Sequence, residues 1–198
     1  MGFTIDVGKP APDFSLPGID GKTWSLKDFA NQKILVVMFT CNHCPFVVGS
    51  EQRMIQFYKD YASKGVGMVG INSNETDGHP GDSFDNMKAR AKERGFQWPY
   101  LRDETQDVAK AYGAQRTPHY FVLDEKRIVR YTGRMDDNPR TPGAEKTREL
   151  RDAVDAVLAG KPVKVAVTDA IGCNVKWWGK DAHWMPKDAC DFIPTAKA

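Results

Sequence analysis

The stretch that decides the fold is KILVVMFTCNHCPFVV, residues 33–48. It opens with a continuous apolar and β-branched run, residues 34–39, which is typical of a parallel strand covered on both faces. Two cysteines with two residues between them follow directly. The apolar residues after them recur at the spacing of one helix face: Val47, Met54, Phe57 and Tyr61. The sequence therefore predicts a strand, the cysteine pair and a helix that runs to about residue 63.

Pro45 indicates where this helix starts. Proline has no backbone N–H and is tolerated in the first turn of a helix, and Asn42 is a favoured N-cap residue, so we expect the helix to begin near Asn42. Its N-terminus would favour a thiolate, and a protonated His43 would add to the effect. One helical turn would bring the two sulfurs within bonding distance. We expect Cys41, on the exposed side, to attack a disulfide and Cys44 to resolve the mixed disulfide.

Strands and helices alternate along the rest of the chain. The pattern predicts a hairpin around GIDGK, a strand at 66–72, a surface loop at 73–83, helices at 84–95, 105–112 and 144–158, and two strands within 119–133. This order indicates an α/β fold, an α/β/α sandwich of three layers around a central mixed sheet, with an N-terminal β-hairpin. We assign residues 1–162 to one domain. Residues 163–198 form a C-terminal extension that we expect to pack on the domain. The reason is that it carries large aromatic side chains, which are poorly tolerated in solvent: Trp177, Trp178, Trp184 and Phe192.

Composition excludes several classes of partner. The 198 residues carry a net charge of +2 with acidic and basic residues interspersed, which gives no electrostatic case for nucleic acid or an anionic membrane. The chain as given shows no secretory signal, so we expect a cytoplasmic protein, or a periplasmic one if a leader was trimmed. Four cysteines are too few for a disulfide scaffold.

The cysteine pair has two alternative interpretations. It could be half of a metal site, with Cys41, His43 and Cys44 as ligands, or two incidental thiols. The other candidate ligands, Cys173, His183 and Cys190, do not form a compact second pair, and Cys-x-x-Cys beside alternating strands and helices is the redox signature. We therefore favour redox chemistry and expect no metal and no cofactor. Without further evidence, Cys173 and Cys190 are best interpreted as small apolar residues of a packed tail.

Three segments together carry a family resemblance: GKPAPDFSLPGIDGK, VVMFTCNHCPFV and QRTPHYFVLD. In this order they resemble the redoxin branch of the thioredoxin superfamily, in particular peroxiredoxin-like proteins with a Cys-x-x-Cys motif. The resemblance covers about residues 5–160 and implies a thioredoxin-like fold. It further implies that Cys41 is the nucleophile, Cys44 the resolving cysteine and Pro118 a cis-proline packed against them, with the Thr117 backbone available to an extended substrate.

The resemblance extends to the tail and has two departures. IGCNVKW, residues 171–177, resembles a C-terminal element of this subfamily, which makes Cys173 a candidate third redox cysteine. Thioredoxins keep a buried acid six residues before the nucleophile, where this chain has Leu35, so the proton acceptor is unassigned. Peroxiredoxins place a threonine three residues before the peroxide-attacking cysteine, where this chain has Met38. Thr40 is near but out of register.

The function we predict is that of a thiol-disulfide oxidoreductase with an antioxidant or disulfide-exchanging role. Its substrate would be a protein or small-molecule disulfide, or a peroxide, and a reductase or thiol would supply electrons. A thiol-dependent peroxidase is the first alternative, in which Arg116 would hold the peroxide oxygens, although a surface arginine at a strand start is the simpler interpretation. A non-enzymatic metal-binding or redox-sensing module is the second.

Overall fold

The structure, a computed structural model, describes residues 3–179. The strands are β1 (Ser15–Pro17), β2 (Thr23–Ser25), β3 (Ile34–Phe39), β4 (Val66–Asn72), β5 (Tyr100–Arg102), β6 (Arg116–Thr117), β7 (His119–Leu123), β8 (Val129–Gly133) and β9 (Cys173–Asn174). The helices are α1 (Pro45–Tyr61), α2 (Phe84–Arg94), α3 (Asp107–Tyr112) and α4 (Glu149–Leu158). Short 3-10 turns stand at Leu26–Phe29, Ala62–Lys64 and Pro80–Asp82.

The central sheet has five strands in the order β5-β4-β3-β7-β8. Strands β3, β4 and β5 are parallel, whereas β7 runs antiparallel to β3 and β8 antiparallel to β7. The predicted mixed sheet is therefore confirmed. The predicted N-terminal hairpin is present as well, with β1 and β2 paired through Leu16 and Trp24.

Strand β3 separates two hydrophobic cores because its side chains alternate between the faces of the sheet. One set, Ile34, Val36 and Met38, packs with buried residues of α1 and α4. The other set, Leu35, Val37 and Phe39, packs with α3 and the N-terminal segment. Each fully buried side chain of this size stabilises the fold by about 1.5–3 kcal/mol. The result is the predicted α/β/α sandwich, with the cysteines at the carboxyl end of its middle strand.

Helices α1 and α4 start later than the sequence predicts. Helix α1 begins at Pro45, with Cys44 as its N-cap, rather than near Asn42. The reason is that the Asn42 backbone N–H donates to Asp82 and its side chain donates to the Gly81 carbonyl, which ties this residue to a neighbouring turn. Helix α4 begins at Glu149 instead of 144, because the amides just before it, at positions 146 and 147, donate to the Asp137 carboxylate.

The segment 73–83, predicted as a surface loop, is partly buried. Ser73, Asn74 and Asp82 are each no more than 3% exposed. The Asn74 side chain donates to Asp82 across 2.8 Å, and its carbonyl oxygen accepts from the backbone amide of Lys176 at 2.9 Å. The polar composition of this segment therefore serves internal hydrogen bonds, not solvation alone.

The described part of the C-terminal extension, residues 163–179, lies against the domain. Thr132 exchanges backbone hydrogen bonds with this segment, and Trp177 is buried in the same core as Leu35. Strand β9 pairs antiparallel with β6. His183, Trp184, Cys190 and Phe192 lie outside the described residues. Among residues 3–179, no helix combines the length and apolar character that crossing a bilayer would require.

Candidate active site

The two cysteines of the motif lie between β3 and α1, and both are buried. Cys41 is 3% exposed and Cys44 is fully buried, which contradicts the expected exposure of Cys41. The Cys41 sulfur lies 3.3 Å from the Thr117 hydroxyl, and the Cys44 thiol donates to the Thr117 carbonyl oxygen at 3.1 Å. The Thr117–Pro118 peptide bond is cis. Thr117 therefore contacts both sulfurs, one through its side chain and one through its backbone.

Cys173 completes a cluster of three thiols. Thr117 and Cys173 are directly paired across β6 and β9, and Cys173 packs on the core that holds Cys41 and Cys44. Interactions with the thiols of both Cys173 and Cys41 lower the pKa of Cys44, and the Cys44 thiol contacts the backbone of Thr117, the partner of Cys173. We therefore treat Cys44 as the middle sulfur of the cluster. Cys173 is partly exposed, whereas the other two cysteines are buried.

The two sulfurs of the motif differ in how strongly their surroundings favour a thiolate. Burial, first, and the contact with Cys44 raise the pKa of the Cys41 thiol. Hydrogen bonds from Cys173 and then Cys41 lower the pKa of Cys44, with further help from the amides of Cys173 and Val47. The Thr117 carbonyl opposes this effect, since it can only accept a hydrogen bond. Burial opposes the predicted thiolate at Cys41, whereas Cys44, as the N-cap of α1, lies where a thiolate is favoured. The thiolate at Cys41 stays a prediction.

His43 is held by a carboxylate that the sequence analysis missed. Its Nδ1 lies 2.7 Å from Oδ2 of Asp82, and its ring stacks on that of His79 with 5.3 Å between centroids. The hydrogen bond to Asp82 raises the pKa of His43. Burial alone would raise the pKa of Asp82, but hydrogen bonds from His43, Asn74 and the Asn42 amide hold it below its usual value.

This pair places a positive charge beside the thiols. His43 and the Cys44 thiolate attract each other, so each favours the charged form of the other. Asp82 also provides a buried carboxylate near the cysteines, which the sequence lacks at Leu35. It lies in a loop far along the chain, and no periodic signal marks it.

The two remaining candidates, Arg116 and Thr40, are both buried. Arg116 is 4% exposed, so a surface position is wrong. Its guanidinium donates to the Gly172 carbonyl at 3.1 Å and to the Asn174 side chain at 2.8 Å, which fastens β9 to β6. Thr40 donates its backbone N–H to Ile71 at the end of the parallel strands.

Metal ligation would use a different set of atoms from the one expected. Cys41, His43 and Asp82 each place a donor atom within 4.8 Å of the others, whereas the sequence suggested Cys44 as the third ligand. His43 and Asp82 already bind each other, and Asp82 accepts two further hydrogen bonds. A metal ion at this position would have to replace that ion pair.

Solved structures share this fold. A hypothetical protein, SMc02350, from Sinorhizobium meliloti is 41% identical, with a TM-score of 0.83 over 89% of this chain and 97% of that one. Thioredoxin-type and thiol:disulfide interchange structures at 18–25% identity superimpose with TM-scores of 0.53–0.62. Fold and site together define a thioredoxin-like protein of the redoxin branch.

The Redoxin family model matches residues 6–148, and this chain belongs to that family. The thiol-disulfide oxidoreductase ResA of Bacillus anthracis is 26% identical over 121 residues, which is 61% of this chain and 65% of that protein. Peroxiredoxin Q, chloroplastic, of Triticum aestivum is 26% identical over 134 residues, 64% of this chain and 58% of that protein. The chain thus spans less than two thirds of the length of either relative.

Proposed function

We propose that this protein is a thiol-disulfide oxidoreductase whose redox couple is Cys41 and Cys44. The observation that carries the proposal is the position of both sulfurs against one residue at the start of α1, with the Thr117 hydroxyl 3.3 Å from the Cys41 sulfur and the Thr117 carbonyl oxygen 3.1 Å from the Cys44 sulfur. The Redoxin family and a relative named as a thiol-disulfide oxidoreductase support it. The substrate would be a protein or small-molecule disulfide, and a reductase or thiol would restore the dithiol.

In the reducing direction, one sulfur of the motif attacks a substrate sulfur, and the substrate S–S bond breaks. The freed substrate sulfur takes up a proton. The second cysteine then attacks the mixed disulfide, which releases the other substrate thiol and leaves a Cys41–Cys44 disulfide. If Cys41 attacks first, its proton must leave before the step because burial raises its pKa.

We assign His43 and Asp82 to electrostatic support of this couple. The imidazole lies next to the thiols, and its hydrogen bond to Asp82 raises the pKa of His43, which favours the charged form. A cation near a dithiol stabilises the thiolate and therefore the reduced form, which makes the disulfide a stronger oxidant. This role replaces the acid that thioredoxins carry at the position of Leu35.

The second candidate function is a thiol-dependent peroxidase, which the relative named peroxiredoxin Q favours. In that reaction a thiolate attacks a peroxide oxygen, the O–O bond breaks, a sulfenic acid forms, and the other oxygen leaves as hydroxide or alkoxide and takes up a proton. Arg116 is the residue considered for holding peroxide, and it is engaged with β9 in this structure.

Reduction of insulin by dithiothreitol tests the proposal. Cys41→Ser and Cys44→Ser should each slow insulin reduction to the rate of dithiothreitol alone, while Cys190→Ser, outside the described residues, serves as the matched control. Full activity of Cys41→Ser would disprove the assignment. Stopped-flow mixing with hydrogen peroxide separates the second candidate, because a peroxidase must react far faster than a free thiol.

A further inference from the structure

We propose that Cys173 is a third redox cysteine, which exchanges with the Cys41–Cys44 disulfide to form a Cys44–Cys173 disulfide. The inference rests on the proposed function, since that function supplies the first disulfide. It makes β9 an internal substrate, held where an external extended chain would otherwise pair with Thr117.

The pairing of β9 with β6 places Cys173 at the site. Cys173 is the direct partner of Thr117, and the Thr117 carbonyl contacts the Cys44 thiol at 3.1 Å. The chains approach so closely that a Cβ on Gly172 would lie 2.1 Å from the Thr117 carbonyl oxygen. Arg116 adds two hydrogen bonds across the same pair of strands. The backbone edge predicted to receive a substrate is therefore filled by this chain's own segment.

The order of the sulfurs suits exchange. A thiolate displaces one sulfur of a disulfide by attacking the other, so the attacked sulfur must contact both the attacker and the leaving group. We place Cys44 between the other two cysteines, because its thiol contacts the backbone of Thr117, which pairs with Cys173, and Cys41 contacts the side chain of the same Thr117. Cys173 is also the partly exposed member, whereas the other two are buried. It can therefore pass a disulfide between solvent and the buried pair.

The step balances within the chain. The Cys173 sulfur attacks the Cys44 sulfur, the Cys41–Cys44 bond breaks and the Cys44–Cys173 bond forms. Cys41 leaves as a thiolate and takes up the proton that Cys173 gave up. One disulfide and one thiol are present before and after, so the exchange needs no further oxidant or reductant.

The test uses the full chain carrying Cys190→Ser as the parent protein. Three variants are made in this parent, and each retains two cysteines: Cys41→Ser, Cys44→Ser and Cys173→Ser. Each protein is oxidised with glutathione disulfide, alkylated with iodoacetamide, digested with trypsin and analysed by mass spectrometry. Trypsin releases Cys41 and Cys44 together in peptide 34–53 and Cys173 in peptide 165–176. Thermal unfolding of each variant shows that it is folded.

We expect Cys41→Ser to yield the Cys44–Cys173 disulfide at least about tenfold above the Cys41–Cys173 disulfide of Cys44→Ser, which corresponds to about 1.4 kcal/mol. The parent with three cysteines should give the same cross-linked peptides. If Cys173 is alkylated in every protein that contains it, while the Cys173→Ser variant forms the Cys41–Cys44 disulfide, the inference is wrong and the proposed function stands. If Cys173→Ser forms no Cys41–Cys44 disulfide, the proposed function itself is wrong. Equal yields in the first two variants would overturn the assignment of Cys44.

Discussion

Asp82 is the residue that gives His43 its charge. It is fully buried, yet its pKa stays low because three donors surround it, namely His43, Asn74 and the Asn42 amide. Two of these donors, Asn42 and His43, lie between Cys41 and Cys44 in the sequence. A single carboxylate therefore fixes the backbone at Asn42 and the protonation of His43 together.

Asp82→Asn should lower the pKa of His43, because the hydrogen bond to Asp82 is the main cause of its rise. NMR titration of the His43 ring proton measures this change. Glu75→Gln is the matched control, since it removes the carboxylate that binds His79, on which His43 stacks, and leaves the pair with Asp82 intact. A His43 pKa equal to that of the wild type in Asp82→Asn would contradict this account.

Among the secondary-structure elements, segments with a continuous or periodic apolar pattern could be predicted from the sequence. Short segments without such a pattern could not. Strands β3 and β4 match the predicted bounds because continuous apolar runs leave few alternatives, and Gly95 ends α2 in the left-handed conformation that glycine favours. Strand β9 has two residues and no pattern of its own. Its place comes from Arg116 and from the absence of a side chain at Gly172, and neither can be read from local sequence.

Gly172→Ala should displace β9 from Thr117, because the new Cβ would lie 2.1 Å from a backbone oxygen. Overpacking typically costs about 1–3 kcal/mol, which corresponds to about 5- to 150-fold in a docking equilibrium. We expect the cysteines of peptide 34–53 to be alkylated by iodoacetamide faster by a factor in this range.

Gly81→Ala is the control for this measurement, since a Cβ there meets no atom within 4 Å. Alkylation of peptide 34–53 at the wild-type rate in Gly172→Ala would show that β9 does not cover the site.

At the scale of the whole molecule, His119 is a buried group through which the stability of the fold depends on pH. His119, at the start of β7, is buried between the sheet and the N-terminal segment, and burial lowers its pKa to about 3. The backbone N–H of Gln115 donates to Nδ1 of His119. Nε2 therefore carries the proton and donates to the Thr132 hydroxyl. The fold thus holds this histidine neutral, which the sequence, showing only a polar residue at the start of a strand, did not indicate.

Acid should therefore destabilise the fold through His119. Below its ordinary pKa of 6.5 the unfolded chain binds a proton that the folded chain refuses until about pH 3, so the free energy of unfolding falls as the pH falls between these values. From pH 6.5 to 5 the loss is about 2 kcal/mol.

Urea unfolding of the wild type and of His119→Gln at both pH values measures this term. The glutamine amide can still donate to Thr132 but does not titrate. Between pH 6.5 and 5 the free energy of unfolding of His119→Gln should therefore fall by about 2 kcal/mol less than that of the wild type. The same fall in both proteins would assign the acid sensitivity to other groups.

The Asn74 side chain has a consequence that reaches beyond its own contacts. Its amide donates to the Asp82 carboxylate, while its oxygen accepts from the Lys176 backbone, three residues past Cys173. If the docking of residues 173–176 and the protonation of His43 are coupled through Asn74, thermodynamic linkage makes that coupling reciprocal. Displacing this segment then shifts the titration of His43, and protonation of His43 changes the docking free energy of the segment by the same amount.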